Sequence, residues 1–250
     1  MTHQTALPWA GDAVEPACPT ALHSAPLWQD HPLFEGLTEA ELTLVTRYFT
    51  AETLSAGEVL QAMDRSHGHI GIVLEGALRE DANSNASETN LLGLVFAGGL
   101  LCPTGPRLPR FAETALCDTE AWICAADEFP ALAGQIPRLA LNLVTETQRR
   151  LNEAIALYQL RGCMTAMERV AELISVFSSR QGHPETVSLF LSRQDLGALA
   201  ALTSETVSRQ IKTLERDGIL SLASPSRIAI RDHARLRAAT GVGAFTALVA

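Results

Sequence analysis

The stretch that decides the fold is Leu191-Ser192-Arg193-Gln194-Asp195-Leu196-Gly197-Ala198-Leu199-Ala200-Ala201-Leu202-Thr203-Ser204-Glu205-Thr206-Val207-Ser208-Arg209-Gln210-Ile211-Lys212-Thr213-Leu214-Glu215-Arg216-Asp217-Gly218-Ile219-Leu220. Ser192 stands where a hydroxyl caps a short helix, and Leu196, Leu199 and Ala200 form that helix's apolar side. A tight turn falls at Leu202-Thr203. Thr203 or Ser204 then caps a second helix, with Val207, Ile211 and Leu214 facing inward. The small Ala200 lets the two helices approach closely. Together these features read as a helix-turn-helix.

The outward face of the second helix carries Glu205, Ser208, Arg209 and Lys212. They occupy positions i, i+3, i+4 and i+7, so they project together. The guanidinium fork of Arg209 matches the O6 and N7 of guanine, Glu205 can accept from a cytosine amino group, and Ser208 can touch a neighbouring base. These three are the candidate base contacts. Ser192, Arg193, Thr203, Ser204 and Lys212 surround them as candidate phosphate contacts. Downstream, Gly218-Ile219-Leu220, a Ser/Pro turn and Ile228-Ala229-Ile230 read as an apolar hairpin, the wing of a winged helix. Ser224, Ser226 and Arg227 would meet the DNA backbone there.

Upstream, a helix is expected over 137–161, with Pro137 in its first turn. Leu141, Val144, Leu151, Ile155 and Tyr158 fall at alternating three- and four-residue steps, and Gln148 fills the gap. That is an a/d seam of about three heptads, suited to a twin helix, and a polar Gln148 would help fix register. Gly162 is expected to break this helix and act as the hinge. A further helix follows from Thr165 through Phe177, with Met167, Val170, Leu173 and Ile174 on its apolar side.

Before residue 130 the pattern is different. Short apolar runs at Glu58–Leu60, Ile70–Leu74, Leu91–Phe96 and Ala121–Cys124 are separated by turn signals at Ser55–Gly57, Glu75-Gly76, Asp81–Ser87, Gly98-Gly99 and Pro103–Pro109. Many short strands at close spacing imply a β-sandwich or roll, with a hairpin tip over Asp81–Ser87. Thr38 and Glu41 form a capping box before a helix with Leu42, Val45 and Phe49 as its stripe. The expected division is a loose arm at 1–30, a β-roll at 31–136, the seam helix at 137–161, the winged helix-turn-helix at 162–238 and a tail at 239–250. The fold class is α+β.

Composition bounds the function. The 250 residues are 47% apolar and 19% charged, as in a soluble globular protein. Aromatics are only 5%, so the core is expected to rest on Leu, Val, Ile and Ala. There is no long apolar run for a membrane span and no signal-peptide pattern, and the cytoplasm is the expected location. The formal charge of −9 hides an asymmetry. Residues 1–160 hold 8 Arg against 20 Asp and Glu, a net of −12, while residues 161–250 hold 11 Lys and Arg against 8 Asp and Glu, a net of +3. An acidic front repels a DNA backbone and a basic rear accepts one.

Thr203-Ser204-Glu205-Thr206-Val207-Ser208-Arg209, followed by Leu214-Glu215-Arg216-Asp217-Gly218-Ile219-Leu220, resembles the CRP/FNR family of bacterial transcription regulators. The likeness spans roughly 30–238. Leu54-Ser55-Ala56-Gly57-Glu58 and Gly76 match the family's β-roll turns, and Met167-Glu168-Arg169-Val170-Ala171 matches its first DNA-domain helix. The form Glu205, Ser208, Arg209 resembles the FNR branch, which implies a homodimer on a TTGAT…ATCAA palindrome of double-stranded DNA, with RNA polymerase as a further partner. Activation is the commoner effect in that branch.

The resemblance leaves the signal open. Cyclic AMP-binding relatives use a Gly-Glu pair and a nearby Arg-Ser or Arg-Thr. Here Gly98-Gly99 lacks the carboxylate, and Pro106 and Pro109 make the loop of Arg107 to Phe111 unlike a phosphate cassette, so cyclic AMP is not expected. Oxygen-sensing relatives hold a [4Fe–4S] cluster with three N-terminal cysteines and one in the β-roll. Cys124 matches the latter, but the arm offers only Cys18. A cluster would need the atypical set Cys18, Cys102, Cys117 and Cys124, with His23 or His31 as a substitute ligand. Ala154 stands where those relatives carry an acidic residue that opposes dimerisation, which implies a dimer that forms without a cofactor. Thiol oxidation, haem in the roll, and control by abundance are the other sensing modes.

An alternative of different class is a small-molecule or haem-binding protein, or a redox enzyme, that shares only the β-roll. No Gly-rich phosphate loop, HExxH, Gly-x-Ser-x-Gly or paired Cys/His spacing supports enzyme chemistry. His67 and His69 read as a solvated polar turn rather than as a ligand pair.

Overall fold

A computed structural model describes residues 28–61, 68–85, 88–102 and 111–241. The expected capping box forms at Thr38 and Glu41 and starts α1 (Glu39–Val45). Eight strands then build the roll: β1 (Thr50–Leu54), β2 (Val59–Gln61), β3 (His69–Glu75), β4 (Ala77–Asn85), β5 (Glu88–Phe96), β6 (Leu100–Leu101), β7 (Phe111–Ala115) and β8 (Thr119–Ala125). They form two four-stranded antiparallel sheets, ordered β1-β8-β3-β6 and β2-β7-β4-β5. Leu54, Val73, Leu78, Val95, Leu101, Ala115 and Ala121 fill the space between them. Gly76 makes the β3–β4 corner at φ +88°, where a Cβ would lie 2.4 Å from the Thr119 hydroxyl, so a side chain is excluded there.

Several expectations need correction. The tip expected over Asp81–Ser87 is shorter, because β4 runs on to Asn85 and pairs with Glu88. His69 is not on a solvated turn. It opens β3, is buried, and its Nε2 lies 2.8 Å from Glu113 across the roll. His67 lies outside the described residues. The expectation of a purely aliphatic core fails at the base of the roll, where Trp122 packs against Trp28, Phe34 and Phe49 with ring centroids 4.0, 5.6 and 5.0 Å apart. Trp28–Asp30 forms a 3-10 turn, and Trp28 packs against this cluster.

After α2 (Phe129–Gln135), the long helix α3 spans Pro137–Cys163. At 1.5 Å per residue its 27 residues reach about 40 Å. Gly162 does not break it. The chain turns extended at Met164 instead, because Thr165 and Glu168 form the capping box of the next helix, α4 (Ala166–Arg180). A Cβ at Gly162 would meet nothing, so glycine is simply tolerated there.

One face of α3 grips the roll. The Asn142 amide donates to the carbonyls of Leu33 and Glu35 at 3.1 and 2.8 Å. Arg149 donates to Gly98 O at 3.4 Å, and Arg150 reaches Leu100 O and the Glu80 carboxylate. The opposite face leaves Leu141, Val144, Leu151, Ile155 and Tyr158 exposed at 46–78%. Gln148 lies exposed in the same stripe.

The rest of the chain forms β9 (Thr186–Ser188), α5 (Arg193–Ala200), α6 (Ser204–Arg216), β10 (Leu220–Ser224), β11 (Arg227–Ile230) and α7 (His233–Ala238). The three strands make a small sheet ordered β10-β11-β9, so the expected two-stranded wing has a third strand. The ordered unit also runs past 238, since Thr240 is buried and its hydroxyl donates to Arg237 O. The core of this unit is continuous with Leu91 and Phe96 of β5 and with Ala156 and Leu160 of α3. Among the described residues no helix is long and apolar enough to cross a membrane.

Candidate nucleic-acid interface

The expected helix-turn-helix forms from local forces that can be named. Ser192 caps α5, accepting from Asp195 N at 3.1 Å and donating to the Asp195 carboxylate at 2.6 Å. The helix ends at Ala201, a left-handed residue at φ 53°. Gly197 lets the turn fold back, because a Cβ there would lie 2.6 Å from Leu202 O. Thr203, not Ser204, caps α6; its hydroxyl accepts from Thr206 N at 3.2 Å. Val207, Ile211 and Leu214 are each 1% exposed, and they seat α6 against α4 and α5.

Glu205, Arg209 and Lys212 are exposed, and Ser208 is half-buried between them. The fork of Arg209, the carboxylate of Glu205 and the ammonium of Lys212 therefore stand free on the face opposite the buried one. Glu205 lies in the first turn of α6, where a carboxylate complements the helix dipole. An α-helix with one side buried and this side offered can enter a major groove.

The surrounding residues divide. Ser204 and Arg227 are exposed. The hydroxyls of Ser192 and Thr203 are engaged as caps, so their primary duty is to fix α5 and α6. Arg193 donates through Nη2 to Pro225 O in the wing turn at 3.0 Å and is partly buried, with its charge held below the usual arginine range by desolvation. It ties the wing to α5. One positioning residue carries no sequence signal of its own. Arg169 of α4 donates to the carbonyls of Met164, Ala200 and Ala201, which brackets the turn between α5 and α6.

Among the described residues, Cys117 stands apart from Cys102 and Cys124. Cys117 lies in the core shared with the DNA-domain helices, whereas Cys102 and Cys124 pack in the core at the base of the roll. Burial, helped by Glu128 and Asp127, pushes the Cys124 thiol up to about 11, and burial raises Cys102 as well. No group of three His, Cys, Asp or Glu suited to a metal occurs among the described residues. Cys18 and His23 lie outside them. His31 is committed to Leu33 N at 3.0 Å and to Gly98 O at 3.2 Å. The described members of the proposed set are thus split between two cores.

A β-roll, a long helix with an outward apolar stripe and a winged helix-turn-helix define a regulator-type DNA-binding architecture. Residues 168–239 match the family model described as a Crp-like helix-turn-helix domain. Over 139 residues the chain is 35% identical to the nitrogen fixation regulation protein FixK of Azorhizobium caulinodans, covering 54% of this chain and 56% of that one. Over 154 residues it is 27% identical to the transcriptional activator protein FnrL of Cereibacter sphaeroides, covering 58% and 62%. The match thus spans little more than half the length of these relatives. The solved structure of FixK2 from Bradyrhizobium japonicum superposes with a TM-score of 0.69 at 27% identity, over 78% of this chain and 98% of that one. Residues 168–239 thus form a Crp-like helix-turn-helix domain, and the chain is similar to regulators named FixK and FnrL.

Proposed function

We propose that the chain is a homodimeric, sequence-specific transcription regulator that reads a palindrome of the TTGAT…ATCAA type. The observation that carries this reading is α6. Its inner residues are almost wholly buried, while Glu205, Ser208, Arg209 and Lys212 share its outer side. The exposed stripe of α3 supports pairing with a second copy, since contiguous exposed apolar surface at a/d spacing is what a twin helix covers. A twofold dimer sets its two recognition helices about 34 Å apart, one turn of DNA. The names of FnrL and FixK, an activator and a regulation protein, support a role in activation, which brings RNA polymerase in as a partner.

The test is fluorescence anisotropy on a labelled palindrome and on a scrambled duplex at fixed salt. Arg209→Ala is expected to lose about 1–3 kcal/mol per half-site and to erase the preference for the palindrome. Lys212→Ala is expected to weaken both duplexes alike and to reduce the salt slope by about one per half-site. An Arg209→Ala protein that still discriminates as the parent does would show that α6 is not the reading helix.

A further inference from the structure

A cavity of about 430 Å³ lies where β5, α3 and α4 meet. Its size is that of a small-molecule site. Its walls are apolar, from Leu94 and Phe96 of the roll, Leu157 of α3, and Leu173, Val176 and Phe177 of α4. Its charged groups are unevenly matched. Glu80 is paired with Arg150, and Glu153 with Arg149. Neither Arg161 nor Arg180 forms a salt bridge among the described residues, although the charge of Glu153, itself bridged to Arg149, is felt at Arg180. Arg161 donates to the neutral carbonyl of Leu199 at 2.9 Å. Arg180 rests on the Phe96 ring, its guanidinium carbon 5.6 Å from the centroid, and its buried Nε has no hydrogen-bond partner. Desolvation holds both arginines below their usual range. A buried donor without an acceptor costs free energy that an arriving acceptor would recover.

We propose that this cavity binds a small organic anion with an apolar body, whose carboxylate is taken by Arg180 and Arg161 and whose body lies against Leu94, Phe96, Leu157 and Phe177. The site differs from the cyclic nucleotide cassette of related regulators, where the resemblance assigns the anion to a loop matching Arg107 to Phe111. Here the cations come from α3 and α4, so the ligand bridges the roll, the long helix and the first DNA-domain helix. Ala154 and Tyr158 line the cavity and are exposed beside the α3 stripe, which places its mouth next to the surface proposed for pairing.

The experiment is isothermal titration calorimetry on the full chain with decanoate and naphthoate, and with decanol as the uncharged control. It needs no DNA, so its outcome is separate from that of the DNA reading. Saturable binding of at least one anion, one per chain and at least tenfold tighter than decanol, is expected. Arg180→Met is expected to weaken it at least tenfold. Gly93→Val is expected to abolish it, because Gly93 lines the cavity on β5 and a Cβ there has room, its nearest contact being Glu80 at 3.5 Å. Gly93→Val keeps every arginine, so it serves as the test even where Arg180→Met does not fold. Absence of saturable binding for both anions, equal binding of decanol, or undiminished binding by a folded variant would overturn the assignment.

Discussion

Arg79 ties the β-roll to the winged helix-turn-helix unit, and its removal has a calculable cost. The side chain is almost fully buried. It forms a bidentate pair with Asp81, at 2.6 and 2.7 Å, and its Nη1 reaches Asp195 of α5 at 3.2 Å. Arg79→Met leaves two carboxylates facing a neutral side chain in a largely buried site. Breaking one side of such a pair costs about 3–5 kcal/mol. A loss of about 3–5 kcal/mol is therefore expected at pH 7.

A double variant separates this cause from lost packing. Removing Asp81 as well, in Arg79→Met with Asp81→Leu, should recover most of the loss. Urea unfolding at one fixed protein concentration measures all of this, fixed because pairing makes stability concentration-dependent. A deficit under 1 kcal/mol, or one that the double variant leaves undiminished, refutes the argument.

Further outcomes are expected elsewhere. Leu151→Glu places a charge in the exposed α3 stripe and should sediment as a monomer at concentrations where the parent is a dimer. Below pH 6.5, the ordinary histidine value, the unfolded chain takes up a proton that buried His31 resists, so stability should fall as pH drops through that window. His31→Gln should flatten this fall in pH-dependent melts, and an unchanged slope would assign it to other groups. Alkylation at pH 8 followed by peptide mass spectrometry should find Cys163, which is exposed, modified well before Cys117 and Cys124. Prompt labelling of Cys124 would contradict its burial.

The helix-turn-helix was legible because its determinants are local. Ser192 and Thr203 announce two caps, and the three- and four-residue steps of Leu196, Leu199, Val207, Ile211 and Leu214 announce two buried faces. The α3 stripe was legible for the same reason. β4 was not, since Asp81 read as the start of a polar tip and Arg79 and Glu80 carry no strand pattern. They are buried because Asp195 and Arg150 arrive from distant helices to pair with them, which periodicity cannot register. His69 was misread on the same account, its partner Glu113 being 44 positions away on another strand. Within the interface, exposure of Glu205 and Arg209 followed from helix geometry. The tether between Arg193 and Pro225 and the bracket by Arg169 depend on how the wing and α4 pack, and no spacing rule encodes them.

The two faces of α3 have a mechanical consequence. Arg149 and Arg150 clamp the middle of the helix to Gly98 and Leu100, which fixes its rotational phase about its own axis there. A seam at seven-residue spacing drifts on a straight α-helix by about 20° per heptad. From the clamp to Tyr158 that drift is a little over one heptad, roughly 25°. In the proposed dimer two paired helices would absorb it by underwinding or by splaying. Beyond the clamp α3 is held to the winged unit through Ala156, Leu160 and the Arg161 bond to Leu199 O, so a torsion arising there would pass into α5 and from it to α6.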